Sequence, residues 1–202
     1  MAVNGVNCSK GDGIEIMEVQ IQQEICPPPD SLTFADVDSK LIKWICAEQA
    51  ISKTVNGWDW HIPEGCYKDD VQEQRKSRHY LLEKHEAGSR PQLIDQIMSL
   101  GSLSPNSVWD MSKAIELATI GYVAGYLTLR EALNVSVTAG KRIQKCTSSW
   151  ENMGMAYLRY LKTFEGNSER LRASEAAFEQ LRNSSDSPYK AVSFEMELKK
   201  TW

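Results

Sequence analysis

Apolar residues recur at helical spacing along most of this chain. Phe34, Val37, Leu41, Trp44, Ile45, Ile51 and Val55 fall three or four apart and predict an amphipathic helix, with Thr33 as N-cap and Asp36 at its third position. Asn56-Gly57 stops it with residues that tolerate positive φ. Residues 69–87 are mostly charged and predict a polar helix ended by Gly88. Pro91 suits a first helical position, ahead of Leu93, Ile94, Ile97, Met98 and Leu100. Ser107 is the expected cap of a helix whose inner face is Val108, Met111, Ile115, Ala118 and Tyr122. Thr128 with Glu131 forms a capping box before Leu129, Leu133, Val137 and Ile143. Ser148 with Glu151 forms a second box, followed by Trp150, Met153, Tyr157, Leu161 and Phe164. Gly166 breaks that helix, and Ser168 opens another through Leu171, Phe178 and Leu181.

Two stretches resist this pattern. Residues 14–25 read as strand or helix, before Pro27-Pro28-Pro29 ends the element, and residues 189–202 alternate small or charged positions with larger ones. No βαβ alternation occurs anywhere. The expected fold is an all-α, single-domain bundle of about seven or eight helices over residues 31–202, with a flexible N-terminal segment, residues 1–30, holding at most one short element.

Composition narrows the function classes. With 42% hydrophobic and 25% charged residues, the 202-residue chain is long enough for one substantial core and too short for two ordinary domains. Its net charge of −4 and scattered bases argue against nucleic acid, which needs clustered Lys and Arg. No apolar run approaches a membrane span, and without a basic region followed by an apolar run at the N-terminus no signal peptide is expected. The five cysteines include no CxxC pair and read as reduced thiols, so the expected setting is cytoplasmic, with no metal and no cofactor.

Candidate chemistry is sparse. No set of residues has recognisable catalytic spacing. A hydrolase or transferase would have to use Asp110 as a general base in a pocket walled by Trp109 and Trp150, with Lys113 as its pair and Glu48, on the apolar stripe of its helix, as a desolvated acid. Helix-terminal and boundary roles explain the same residues. His79 and His85, six apart, point in different directions, and a His61–Cys66 nucleophile pair lacks a third orienting group. The better lead is aromatic: Trp58, Trp60 and Tyr67 beside Asp69, Asp70 and Glu73 have the composition of a protein-contact surface with an acidic rim, with Tyr80 on the helix that follows.

Three phrases in residues 108–157 carry a family likeness: Trp109-Asp110 with Lys113; Gly125-Tyr126-Leu127 ahead of Glu131; and Ser149-Trp150-Glu151 with Tyr157. This stretch resembles the bacterial family known as domain of unknown function 1266, with a looser likeness over residues 32–194. The family usually has Arg where Lys113 stands and Gly where Tyr160 or a neighbour stands, and a Lys does not reproduce a bidentate Arg contact. The resemblance implies a helical fold and no established activity. Some such domains are similar to small helical proteins encoded beside interbacterial toxins, which implies a non-enzymatic immunity protein that neutralises a toxin by binding it. A scaffold subunit of a larger complex is the third expectation.

Overall fold

The computed structural model describes residues 30–60, 69–103 and 107–202. Nine α-helices and no strand occur among them: α1 Ser39–Glu48, α2 Ala50–Val55, α3 Val71–His85, α4 Arg90–Leu103, α5 Val108–Val123, α6 Leu129–Cys146, α7 Trp150–Glu165, α8 Glu169–Asn183 and α9 Pro188–Ala191. The architecture is all-α, as the periodicity predicts. The expectation of a flexible N-terminal segment falls outside the described residues, except for Asp30.

Most helix starts are where the capping residues put them. Ser107 Oγ accepts from Asp110 N–H, Ser168 Oγ from Leu171 N–H, and Thr128 and Glu131 close their reciprocal box. Four boundaries differ from the sequence reading. Thr33 and Asp36 do form a capping box, but on a single 3-10 turn, Phe34–Asp36. Val37 is then extended, and Asp38 caps α1 by accepting from Lys40 N–H at 2.8 Å. The one expected helix is therefore three pieces, the last break coming at Gln49, whose side-chain amide bonds sideways to the Ser112 carbonyl at 3.2 Å. Helix α3 ends at Glu86, which takes the left-handed conformation at φ 53°, so Gly88 is not the stop. Helix α7 is capped by Ser149, accepting from Asn152 N–H, and not by Ser148.

Helix α5 is the axis of the bundle. Helices α3, α4, α6 and α7 all pack on it, and of its residues only Asp110 and Thr119 are not buried. It feeds two apolar clusters, the smaller through Trp109 and the larger through most of its other apolar side chains. The larger gathers Leu41, Trp44, Leu93, Ile115, Leu133, Ile143 and Trp150. The smaller joins Ile51, Trp109, Tyr157, Leu171, Phe178 and Leu181 under the α2–α8 contact.

The alternation in residues 189–202 has a physical origin. After α9 the chain runs along the bundle with Val192, Phe194 and Leu198 inside and Glu195 and Glu197 outside. No strand pairs with it, so side chains satisfy its carbonyls. Trp150 Nε1 donates to Val192 O at 3.0 Å, and Trp44 Nε1 to Phe194 O at 3.0 Å. Gln144 Nε2 donates to Phe194 O at 2.6 Å and Met196 O at 2.9 Å. Trp44 and Trp150 also touch, with ring centroids 5.2 Å apart.

Helices α7 and α8 meet at a glycine. A Cβ on Gly154 would stand 2.2 Å from Phe178 Cε2, a fully buried ring with little room to retreat. Gly154→Ala is therefore expected to destabilise the fold by about 1–3 kcal/mol. Gly101→Ala, where nothing lies within 4 Å, should be neutral or slightly stabilising in the same thermal melts.

Candidate functional site

Three helices bring their polar side chains to the middle of the bundle. Lys113 and Glu116 stand one turn apart on α5, and Lys113 Nζ lies 2.9 Å from both Glu116 carboxylate oxygens. Tyr80 on α3 donates its hydroxyl proton to Glu116 Oε1 at 2.9 Å, and Ser52 on α2 donates to Oε2 at 3.1 Å. Next to this group Glu48, at the end of α1, accepts from the Ser112 hydroxyl and the Gln49 side-chain amide. Glu48 is 4% exposed, Glu116 4% and Lys113 9%, so the network is internal.

Electrostatics follow from that burial. Burial by itself raises the Glu116 pKa, but the Lys113 charge and the hydrogen bonds from Lys113, Tyr80 and Ser52 outweigh it and hold the carboxyl below its usual range. The Tyr80 phenol is pushed up by burial first and then by the Glu116 charge. Tyr157 on α7 is pushed up for the same two reasons, with hydrogen-bonded Arg170 of α8 opposing. His85, in the last turn of α3, has a buried Nε2 without a hydrogen-bond partner among the described residues. Its pKa is lowered by burial first and then by the Lys113 charge, with Glu116 opposing and Arg170 adding a lesser lowering.

The catalytic candidates are not brought together as expected. Asp110 is half-buried at the start of α5, where its N–H bonds the Ser107 cap, and the partner of Lys113 is Glu116. The three-residue spacing allowed either pairing, but Asp110 is on the side of α5 facing solvent and Glu116 is inside. Trp109 and Trp150 do not wall one pocket. Trp109 lies in the smaller cluster, stacked on Tyr160 at 5.1 Å and covered by the Arg170 guanidinium at 4.8 Å. Trp150 lies in the larger one, against Trp44, Tyr189 and Phe194.

The turn between α5 and α6 has a structural role. Gly125 adopts φ 76°, and the N–H groups of Tyr126 and Leu127 both donate to the Gly121 carbonyl, closing α5. Glu131 caps α6 and also receives a bidentate pair from Arg90, at 2.7 and 3.0 Å, while the same guanidinium reaches Tyr126 O at 2.7 Å. Tyr126 donates its hydroxyl to Gly88 O at 2.8 Å. These bonds tie the α3–α4 connection, α4, α5 and α6 at one corner.

The expected contact surface is only partly presented. Trp58 is 39% exposed and meets Tyr80 edge-on at 5.8 Å. Trp60 is half-buried, and Tyr67, His61 and Cys66 lie outside the described residues. Asp69 is exposed, but the Asp70 carboxylate caps α3 by accepting from Gln72 and Glu73 N–H, and Glu73 is paired with Lys76 at 2.6 Å. The acidic rim is thus largely engaged within α3 itself.

Sequence reasoning missed Glu116, Ser52 and Arg170, and weighed His85 only as a metal ligand. A usable signal existed for the first. A Lys and a Glu three apart in a helix otherwise apolar around its circumference must be buried, and buried charges pair.

Residues 35–194 match the family described as "Protein of unknown function (DUF1266)", and the chain belongs to that family. No curated protein and no solved structure matches it. The matched region contains the interior network from Glu48 to Arg170 and the Gly125–Glu131 turn.

Glu116→Gln keeps the shape and removes the charge, leaving Lys113 buried without a counter-ion. It should cost roughly 3–5 kcal/mol in chemical denaturation. Acid should act on His85 first. A folded pKa below the ordinary 6.5 means that the neutral ring is favoured by the fold, so its stabilisation is complete above that pH and is lost as pH falls below it. The Glu116 contribution goes only at pH below its ordinary 4.5. Melting temperature should therefore start to fall just below pH 6.5, and His85→Gln should flatten that first part of the curve.

Proposed function

We propose that this DUF1266 member works by binding another protein and not by catalysis, with neutralisation of a toxin domain, an immunity role, as its specific form. The observation that carries the reading is Trp58, a large aromatic side chain 39% exposed beside α3. Trp58 leans on Tyr80, whose hydroxyl is bound to the internal Glu116. A surface tryptophan backed by a fixed interior loses little freedom when a partner covers it, as interface anchors require. Helix α3 also exposes Arg75, Glu83 and Lys84, with Glu86 at its C-cap, charges of both signs that support specificity and steering more than bulk affinity.

A further point favours binding over chemistry. The carboxylate oxygens of Glu48 and Glu116 are taken up by donors of the same chain.

Affinity capture from the native cell is expected to recover one stoichiometric protein, and Trp58→Ala should weaken its binding by about 2 kcal/mol, roughly thirtyfold, with little change in melting temperature. Asp110→Asn should leave that binding intact. Recovery of no stoichiometric partner, or a Trp58→Ala variant that binds as well as the parent, counts against the proposal.

A further inference from the structure

A groove of about 710 Å³ runs where the end of α6 meets the start of α7, with Phe194 and Glu195 as its far wall. A second hollow of about 430 Å³ continues from it and shares Ser148, Phe194 and Glu195. Neither includes any residue of the Trp58 face.

Charge sets this groove apart. Lys145 and Arg159 line it, both exposed and neither in an ion pair among the described residues. One turn away on the same helices stand Lys141 and Lys162, also exposed and unpaired. Lys200 lies close enough to Lys141 to feel its charge. Glu195 is the one acidic residue in the lining of the larger groove. The first turn of α7, with its helix-dipole positive end, opens onto the same space. In a chain of net charge −4 this is a local reversal of sign. The lining is not only polar, since Met155 is 49% exposed beside Arg159 and offers an adaptable apolar contact.

We propose that the α6–α7 groove is a docking site for a short acidic segment of a partner protein, with carboxylates facing Lys145 and Arg159 and an apolar side chain against Met155. This surface is separate from the Trp58 face, so it stands whether or not that face binds. Charge complementarity of this exposed kind gives steering and salt sensitivity. Glu195 works against the incoming carboxylates and limits affinity.

The test uses the full chain and a fluorescein-labelled octapeptide of alternating Asp and Leu, followed by anisotropy at low salt. Saturable binding is expected, weakened at least tenfold by Lys145→Glu combined with Arg159→Glu and strengthened by Glu195→Gln. Trp58→Ala should leave it unchanged, so failure of the earlier proposal and failure of this one are told apart. All these positions are exposed, and thermal melts verify folding; the two single charge reversals serve if the double variant does not fold. No binding, binding indifferent to charge reversal, or tighter binding of a labelled single-stranded oligonucleotide overturns the proposal. So does self-association of the chain that the same charge reversals abolish.

Discussion

A helix buried around nearly its whole circumference has no water to give its polar side chains. Helix α5 is in that position and still carries Ser112, Lys113 and Glu116. Each must find a partner inside, and together they dictate what the neighbouring helices present. Helix α3 supplies Tyr80, α2 supplies Ser52, and Glu48 of α1 takes the Ser112 hydroxyl. Removing one member leaves the others desolvated and unpaired, so the network fixes one relative placement of four helices where apolar contacts would tolerate several.

The network also links interior to surface. Tyr80 is held at its hydroxyl by Glu116 and carries Trp58 against its ring edge. The exposed tryptophan is thus mounted on a rigid internal frame. The corner at Gly125 works differently. There the Gly125 turn, Arg90 and Glu131 join backbone carbonyls to a buried ion pair, and nothing apolar is offered to solvent by that group. The family phrases at this corner, at Trp109 and at Trp150 are accounted for by closing helices and filling two clusters. The contact functions we propose fall to residues outside those phrases, at Trp58 beside α3 and along the α6–α7 groove.

Legibility differed by the range of the interaction. Capping is local, so Ser107, Thr128 and Ser168 could be read directly from residues three apart. It failed where two candidates competed within a residue or two. Ser148 and Ser149 are equally good caps by composition, and Asp38 and Thr33 both precede apolar runs. Glu86 in the left-handed conformation overrode the nearby glycine because the next residue, Ala87, is pulled into the core. The charge pairing was harder. Asp110 and Glu116 are each three residues from Lys113, and only the position of α5 among its neighbours decides which carboxylate is inside.

The sequence by itself therefore determined the helical class, most of the caps and the turn at Gly125, because these depend on periodicity and on contacts within one helical turn. Tertiary structure alone decided that α5 is central, that Glu116 and not Asp110 neutralises Lys113, and that Trp109 and Trp150 sit in separate clusters. It also decided that the chain after α9 is held by indole and amide donors from helices far away in sequence. Burial is a property of the assembled bundle, and burial sets the energetic demand that every one of these pairings answers.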